Sequence, residues 1–579
     1  MFDTESDIIE AIKEKEGSLE ALHTRMEEDY DLYRLAEYEA EKGYESYTSS
    51  APRNFFDKVL DGVNRAALTM QIKLPEDASE KERKAASQGE MYLYGALQEI
   101  DRQHVRQGQP ALRESLAFYM CLRGWYALRA LVYTPRGADQ PVFDVTAWDP
   151  LHVTWEWGPE GLLWAAHKRK ASKAQIEAEY GLVIGGKDAE VIDFFDTERN
   201  GVIVENSFVK RPVAHNIGHV PVLVGPVGSM PDLQTQFYDV TTEYQGDSVW
   251  AAARGLYEPW NKHVSTIMDL HERSKAGSLV HKSLDGRKEI KGDPYKSYQE
   301  ISIAQDEEIK PLELADPPPQ TAAILGIISG DLQQSTLPYP LAYGGTTQAM
   351  SGMALSILSE ATRSVYSPRT EALAKVYQWL GEELVRQFQN KGSGERQIKG
   401  YDAKGKFFAV AARPGEMNED WFLDVTCEPV MPRDEEKDIM MALSAMTPRT
   451  PDTEPLVSVH TAREDILRLK DADAEADKVL EEKGERFPPI QVRKIARALM
   501  DRGKPEMAQE IMAMLGPQQP QQLQLPEELV EAVVAELSRG GQSQLAAGLL
   551  QALGIGQGAV QRGPQVPQGA PLVEEGSIG

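Results

Sequence analysis

Residues 247–274 read DSVWAAARGLYEPWNKHVSTIMDLHERS, and one long apolar stripe runs through them. The apolar side chains recur every three or four positions, which is the spacing of one face of an α-helix. Asp247 is a residue type that caps helix N-termini, and Pro259 within the stripe predicts a kink. We therefore predict a kinked helix from Asp247 to about Ala276. About 30 residues of helix extend roughly 45 Å.

The sequence before this helix changes from helical to strand-like spacing. Apolar periodicity predicts helices over residues 5–45, 54–70, 81–106 and 111–123. After Gly124, short runs rich in Val, Thr and Trp predict strands as far as Val227: WYALRALVYT, PVFDVTAWDP, VTWEW and LLWAAHKRK. The segment AQIEAEYG predicts a helix that ends at Gly181. The run EVIDFFDTERNGVIVEN predicts a hairpin with its turn at Arg199-Asn200-Gly201.

The sequence after the helix is a small strand-like block, two helices and further strands. The block contains GSLVHKSL, YQEISI and EEIKPLEL, and three prolines then precede the helical TAAILGIISGDLQQ. Residues 341–369, LAYGGTTQAMSGMALSILSEATRSVYSPR, predict a polar loop followed by a helix from near Met350 towards Phe388, kinked at Pro368. Strands follow in KFFAVAA and WFLDVTCEPV, and the chain is helical again from Asp434.

Composition sets limits on the class of protein. A chain of 579 residues is long enough for several cores. The two cysteines, Cys121 and Cys427, are far apart, which favours a reducing compartment over a disulfide-linked secreted protein. The acidic N-terminus does not resemble a signal peptide, and no apolar run reaches the roughly 18–20 residues of a membrane span. We expect a soluble protein that is made in the cytoplasm.

The formal net charge is −28 at pH 7. Proteins that hold DNA by its phosphates are usually basic, so this balance excludes a typical sequence-reading DNA-binding protein. It is compatible with a protein that lets DNA pass without holding it.

The sharpest match to a catalytic motif is GLVIGGKD, residues 181–188. It nearly fits the phosphate-binding loop pattern, but Asp188 replaces the hydroxyl residue that binds magnesium. A helix precedes the motif and a strand follows it, which is the reverse of the order that such a loop needs. We interpret it as a helix-to-strand turn.

Two further candidates are weaker. His215 and His219 in HNIGH resemble a metal pair, but a zinc site normally has three or four ligands, and no others lie nearby in sequence. Residues 341–352 could bind phosphate through backbone N–H groups at the start of a helix. However, the first basic residue after this loop is Arg363, about three turns into the helix. We therefore expect no enzyme activity, no cofactor and no metal.

The order of the elements, with several local patterns, resembles that of bacteriophage portal proteins. The patterns are LRGWYALRALVY after the N-terminal helices, HNIGHVPVLVGPVG before the long helix, the Gly/Thr loop before SGMALSILSEATRSVYSPRTEALAKVYQWLGEELVRQF, and the late PLVSVHTAREDILRLKDADAEADKVLEEKGE. The resemblance covers most of the chain to about Glu485, and the order of the patterns is its specific part.

The resemblance implies an α+β portal-type fold with a mixed α/β wing, a two-helix stem, a small β-rich clip and a helical crown, assembling as a ring. By segment it implies a wing at 1–235, stem helix 1 at 236–276, a clip at 277–316, stem helix 2 at 317–335, a tunnel loop at 336–350, a kinked wing helix with returning wing strands at 351–430, a helical crown at 431–553 and a disordered tail at 554–579.

The resemblance also implies a function. A portal is a ring, usually of twelve copies, at one capsid vertex of the virion, through which double-stranded viral DNA is packaged and ejected. Its partners are the terminase packaging motor, the major capsid and scaffolding proteins and the tail adaptors, with no membrane. The loop residues expected to face DNA are Tyr343, Gly344, Gly345, Thr346, Thr347 and Gln348. The clip residues expected to contact DNA, the motor or an adaptor are Lys282, Arg287, Lys288, Lys291 and Lys296.

Two alternatives stay open at this point. The first is a head–tail adaptor or minor capsid protein that forms no ring. The second is an enzyme that binds a nucleotide through residues 181–188 or 341–352. For any one of the clip lysines, a solvated edge is an equally good interpretation.

Overall fold

The computed structural model describes residues 4–40, 45–75, 77–135, 137, 140–228, 245–275, 279–282, 286, 303–311, 319–337, 352–391, 394–402, 405–429, 435–447, 455–467, 475–476 and 478–479. The chain divides into two compact units, Met1–Asp471 and Ala472–Gly579. The four described residues of the second unit are helical. All elements below belong to the first unit, which is a mixed α+β structure with several small sheets.

Two N-terminal helices, α1 (Glu5–Ser18) and α2 (Glu20–Arg34), open the chain. Thr4 caps α1 in a reciprocal capping box with Asp7. The predicted helix over residues 5–45 is right as far as Arg34 and wrong beyond it. Residues 36–40 and 45–50 are not helical, and two of their backbone N–H groups are bonded by side chains of a later helix instead.

A three-stranded sheet forms the centre of the unit. Its strand order is β3 (Val142–Trp148), β2 (Trp125–Tyr133), β9 (Val222–Pro226), and both outer strands run antiparallel to β2. The long helix α9 (Gly352–Lys391) packs against β2. Its buried Gln387 accepts from the N–H of Val132 at 2.7 Å and donates to the carbonyl of Ala130 at 2.9 Å. These two bonds fix the helix to one position on the strand.

A five-stranded antiparallel sheet follows, in the order β4 (Val153–Gly158), β5 (Gly161–Ser172), β6 (Asp188–Asp196), β7 (Arg199–Val204), β8 (Ser207–Ala214). Helix α1 buries Ile8 and Ile12 in one apolar cluster with Trp164 and Phe194 of this sheet. Helix α6 (Lys173–Tyr180) buries Ile176 in a second cluster beside it.

Late strands return to the N-terminal part of the chain. Strand β14 (Phe422–Glu428) pairs antiparallel with β1 (Ala67–Lys73), and β12 (Arg396–Tyr401) pairs with β13 (Phe407–Ala412). Helices α3 (Ala51–Arg65), α4 (Glu80–Arg106) and α5 (Leu112–Arg123) complete this region. One core joins it to β2 and α9, with Phe56, Tyr92, Met120, Leu128, Leu380 and Val425 among its members. Segments more than 300 residues apart therefore share a single core.

Two local predictions were wrong by a few residues. The helix predicted over 54–70 ends at Arg65, because the next seven residues alternate in burial and pair with β14. The predicted turn at Arg199-Asn200-Gly201 lies inside β7. Oδ1 of Asp196 instead accepts from the N–H groups of Glu198 at 2.8 Å and Arg199 at 2.5 Å, which moves the turn two residues earlier.

The helix predicted from Asp247 starts later than expected. Helix α7 spans Arg254–Lys275, with Pro259 inside it, and residues 249–253 form turns. Asp247 does not cap it, because α2, β2, α5 and α9 bond the backbone of residues 245–249 in a non-helical path. The remaining elements are β10 (Leu279–Lys282), β11 (Glu308–Pro311), α8 (Pro319–Ser335) and α10 (Glu435–Met446). In the described part of the chain, no helix is long and apolar enough to cross a membrane.

Candidate functional site

The chain makes an excursion between α7 and α8, residues 254–335. Strands β10 and β11 pair antiparallel between the two helices, with Lys282 opposite Glu308. Tyr257 and Trp260 near the start of α7 line the same groove as Leu332 near the end of α8. The start of α7 and the end of α8 therefore lie at one place, which we call the root of the excursion.

Hydrogen bonds from four separate elements hold the segment that enters the root. Its carbonyl groups, at Gln245, Gly246 and Asp247, accept from side chains of three of these elements. The donors are Arg25 of α2 at 2.9 Å to the first two, Trp125 of β2 at 2.8 Å to Gln245, and Arg369 of α9 at 2.8 Å to Asp247. The fourth bond runs from the N–H of Val249 to the carbonyl of Cys121 in α5 at 3.0 Å. Backbone groups bonded to side chains and to α5 in this way give the root a defined path.

Close backbone approach at the root requires glycine. Gly124 ends α5 in the left-handed conformation with φ of 69°. A Cβ on it would lie 2.5 Å from the N of Ser248, and a Cβ on Gly246 would lie 2.4 Å from the carbonyl oxygen of Gly124. Both distances are too short for any side chain, so the two glycines let the entry segment pack directly against the end of α5.

A buried ion pair joins α2 to the first turn of α7. Asp29 is fully buried, and its two carboxylate oxygens each accept from Arg254 at 2.8 Å. Such a bidentate pair fixes both distance and angle. The pair therefore fixes the start of α7 relative to α2.

An extended N-terminal segment lies along α7. The N–H of Tyr47 donates to Oγ of Ser265 at 2.8 Å, and the N–H of Ser49 donates to Oδ1 of Asn261 at 3.0 Å. The two acceptors are four residues apart and so share one face of the helix. This contact explains why residues 45–50 do not continue the N-terminal helices.

Helix α8 is unusual for a surface helix in an acidic protein. Its sequence, PQTAAILGIISGDLQQS, contains one charged residue, Asp331. Ile324 is 39% exposed and Ile327 is 64% exposed in the isolated chain. Two isoleucines three residues apart lie on one face of a helix. The helix thus presents apolar surface that its own chain leaves uncovered.

Of the five predicted clip residues, Lys282 lies within the described part of the chain. Lys282 is exposed at the end of β10, opposite Glu308. Lys310 contacts that carboxylate at 2.5 Å, and this hydrogen bond lowers the pKa of Glu308. Acidic and basic groups therefore alternate on this strand pair. Arg287, Lys288, Lys291 and Lys296 lie outside the described residues, as do the predicted tunnel-loop residues Tyr343, Gly344, Gly345, Thr346, Thr347 and Gln348.

Residues 181–188 have the helix-then-strand context that the sequence predicts. Gly181 ends α6 with φ of 67°, and β6 begins at Asp188. The side chain of Asp188 contacts Lys170 at 3.2 Å. The segment is a connection between α6 and β6, and it opens no helix.

The histidines of HNIGH bond to different groups. His215 Nε2 lies 2.9 Å from the carbonyl oxygen of Asp196, whereas His219 Nε2 lies 2.9 Å from a carboxylate oxygen of Glu383. Glu383 is buried and also accepts from Arg386 at 3.1 Å and from Gln387 at 2.5 Å. Among the residues that the structure describes, no group of three or more His, Cys, Asp or Glu side chains could hold a metal ion.

A cleft of about 480 Å³ between the two larger sheets is lined by several ionisable groups with perturbed pKa values, Asp193 and Lys210 among them. Burial raises the pKa of Asp193, and nearby Arg129 and Arg169 oppose that shift. Burial lowers the pKa of Lys210. Arg129 bonds to Asp144 at 2.5 Å, and Arg169 lies 3.5 Å from Asp193. Because these arginines and aspartates pair with one another, they form a structural ion-pair network along the cleft.

The side chains that hold the root could not be predicted from the sequence. Arg25, Asp29 and Arg369 sit in helices where a charged residue is normally solvated. Their partners lie 122 to 225 residues away or are backbone carbonyls. A single sequence contains no pattern that marks such pairings. The sequence does show that Arg369 directly follows Pro368, but this position does not identify the partner of the arginine.

Comparisons with known proteins gave two results. No protein-family model matches the chain, and no curated protein matches it. Solved structures similar to it include a chain from the neck of an empty gene transfer agent particle and a chain from the virion of a native gene transfer agent particle. Each is 13% identical with a TM-score of 0.34, and the matches cover 57% and 58% of this chain and 77% of each of those chains.

Proposed function

We propose that this chain is a portal subunit: several copies form a ring at one capsid vertex of a phage-like particle, and DNA enters and leaves through the ring. The single observation that carries the proposal is the excursion with its fixed root. Helix α7, the strand pair β10–β11 and helix α8 follow one another in the order expected for a stem and clip, and the two helices meet at the root.

The character of α8 supports assembly of copies. A helix that exposes Ile324 and Ile327 and carries one charge gains stability when another apolar face covers it. Burial of apolar area contributes about 25 cal/mol per Å². Neighbouring copies around a ring supply such a face repeatedly, because a heterologous contact that closes generates a cyclic assembly.

The charge of the chain supports passage of DNA without tight binding. At −28, the average surface repels a polyanion, and contacts that release counterions would hold DNA in place. In the proposed ring, residues 336–350 act as the tunnel loop, and the basic residues of 277–316 meet DNA, the terminase motor or a tail adaptor. Capsid and scaffolding proteins would contact the outer wing elements.

We also infer that the chain is not an enzyme and that a separate motor supplies the work of packaging. The connection at 181–188 opens no helix N-terminus, which a phosphate-binding loop needs. Isothermal calorimetry with ATP and Mg²⁺ tests this inference, and we expect no binding heat. Saturable binding would instead support the nucleotide-binding alternative.

The test of the ring is the native mass of the purified full chain, measured together with negative-stain images down the assembly axis. We expect closed rings of about twelve copies with a central channel. Monomers or dimers at high protein concentration would contradict the proposal and favour the adaptor alternative.

A second test addresses the loop. Thr346→Lys with Thr347→Lys places two cations beside the path of DNA, and each new phosphate contact slows a sliding polyanion. We expect rings of normal mass but particles with less DNA. Thr346→Ser with Thr347→Ser is the matched control and keeps normal DNA content. Normal DNA content with both lysines would refute the assignment of this loop.

A further inference from the structure

Helix α7 has a weak point at Pro259. Proline has no N–H, so the helical bond from residue 259 to the carbonyl of Gly255 cannot form, and the proline ring crowds that carbonyl. Pro259 is exposed, and sharp kinks in helices occur mainly at prolines. Residues 260–275, which we call the distal part of α7, can therefore change their angle to residues 254–258 more easily than in an unbroken helix.

The part of α7 before Pro259 is fixed to the rest of the unit. Arg254 forms its bidentate pair with Asp29 of α2, and Tyr257 is buried in the core that α3, α4, α5 and α9 share with β2. Just before the helix, Nε1 of the buried Trp250 donates to the carbonyl of Pro52 at 3.1 Å. A change of angle in α7 would therefore move the distal part alone.

A different segment of the chain holds the distal part. It consists of residues 45–50, which we call the strap. The N–H groups of Tyr47 and Ser49 donate to the side chains of Ser265 and Asn261. Two residues of extended chain span about 6.6 Å, and four residues of helix span about 6 Å. Donors and acceptors are thus in register, so the strap fits this face of the helix.

The strap is held less firmly than the root. Its two bonds to the distal part join neutral groups, and such bonds are weaker than the charge-assisted pair at Arg254. Grooves of about 260 Å³ and 440 Å³ lie beside it. The larger groove is lined by Tyr47, Ser49, Trp260 and Leu332, among others. Sparsely packed segments are the first to open, and this groove leaves space for the distal part to turn.

We propose that α7 is hinged at Pro259 and that the strap is a latch that sets the angle of its distal part. With the strap seated, the root and the strap hold the helix on both sides of the hinge. When the strap lifts, the distal part turns while Arg254 stays paired with Asp29. This device goes beyond the proposed function, because it belongs to a single chain. In the proposed ring, it would change the direction of stem helix 1.

The size of the movement follows from the length of the distal part. His271 lies about 18 Å along the helix from Pro259, at 1.5 Å per residue. A change of about 20° at the hinge, the lower limit of a sharp kink, displaces His271 by about 6 Å. Distances between spin labels resolve a shift of this size.

Two spin labels on one full-length chain test the latch. Lys58→Cys places one label on the exposed side of α3, and His271→Cys places the other on the exposed side of the distal part. Cys427→Ser removes the half-buried thiol. Burial raises the pKa of the Cys121 thiol to about 12, which keeps it unreactive. Coexpression with an excess of the chain that carries Cys427→Ser alone ensures that both labels measured belong to one copy.

Asn261→Ala with Ser265→Ala removes both acceptors of the latch. We expect a second distance that differs from the original one by up to about 6 Å for a turn of 20°. Thr266→Ala is the matched control, because the hydroxyl of Thr266 donates to the carbonyl of Lys262 in its own helix at 2.9 Å, and it should keep the original distance. Tyr47→Pro removes a donor of the latch instead of an acceptor and should also give the second distance.

Pro259→Ala tests the hinge, because it restores the N–H that bonds to Gly255. In this background we expect Asn261→Ala with Ser265→Ala to leave a single distance. The original distance alone in the latch variants would overturn the proposal. A second distance that persists with Pro259→Ala would also overturn it, since α7 would then move from the root as a rigid rod. Because both labels lie on one chain, these results do not depend on ring formation, which the native mass tests separately.

Discussion

The substitution Asp29→Asn tests how the root holds α7. It keeps the shape of the side chain and removes its charge, so the guanidinium of Arg254 loses its carboxylate. Both oxygens of Asp29 accept from Arg254 at 2.8 Å, and Asp29 is fully buried. One charge-assisted hydrogen bond is therefore replaced by a contact between two donors, the other becomes a weaker bond to a neutral amide oxygen, and a partly buried cation loses its counter-charge.

The expected loss of stability follows from the burial of the ion pair. Removing one partner of a buried ion pair costs about 3–5 kcal/mol. Because the side chain of Arg254 is 24% exposed, water compensates part of its charge, and we expect a cost near 3 kcal/mol. For a large unit, 1 kcal/mol lowers the melting temperature by about 2 °C, so the expected shift is roughly 6 °C.

The assay is thermal unfolding of the full chain, followed by circular dichroism at neutral pH. Asp31→Asn is the matched control, because Asp31 lies on the same helix and pairs with Arg34 where both side chains are more than half exposed. An exposed pair contributes less than about 1 kcal/mol. Equal and small shifts for the two variants would refute the conclusion that the ion pair fixes the root.

Three further predictions concern stability. Burial lowers the pKa of His167 from 6.5 to about 3, so between these pH values the unfolded chain binds a proton at this histidine that the folded chain does not. The free energy of unfolding should therefore fall by up to about 1.4 kcal/mol for each pH unit below 6.5. His167→Gln removes this titration and should flatten the dependence of melting temperature on pH. In Gly95→Ala the new Cβ would lie 2.1 Å from a side-chain carbon of Ile398, so we expect the free energy of unfolding, measured by denaturant titration, to fall by about 1–3 kcal/mol. Gly17→Ala is the control, because a Cβ there meets open space, and it should raise the free energy of unfolding by up to about 1 kcal/mol. Removing all residues after Gly554 should leave the melting temperature unchanged, because a Gln/Pro/Gly-rich tail buries little apolar surface, and a fall of several degrees would contradict this.

Sequence periodicity predicted the elements that carry a strong amphipathic pattern. Helices α4 and α5 and strands β2 and β3 lie within a residue or two of their predicted bounds. In each case, one face of the element is buried in the shared core, so the burial pattern and the sequence pattern coincide. Helix α9 was predicted for the same reason, with Pro368 inside it.

Elements decided by distant partners were not predicted. Strand β1 follows α3 after one residue, and its identity as a strand depends on β14, about 360 residues later. The start of α7 depends on Cys121, Trp125 and Arg369, whose bonds to the preceding segment replace an early helical turn. Tertiary contacts of this kind override local propensity, and one sequence carries no signal for them.

The features of the candidate site also fall into two groups, those that are visible in the sequence and those that depend on distant partners. The stripe of α7 was predicted from the sequence, and the stem interpretation came from the resemblance to portal proteins. The low charge of α8 is also visible in the sequence. The ion pair of Asp29 is not visible, because an acidic residue on an acidic helix is unremarkable by itself.

The root and the apolar surfaces have different physical roles in the proposed ring. Hydrogen bonds and bidentate ion pairs are directional, so the bonds at residues 245–254 fix the angle at which the excursion leaves the wing elements. Apolar contacts are non-directional and scale with area, so the exposed face of α8 would supply association without setting its geometry. A variant of the root should therefore change ring size or closure, whereas Ile327→Glu on α8 should change the fraction assembled. Observing the reverse, normal rings from Asp29→Asn and misshapen rings from Ile327→Glu, would contradict this division of roles.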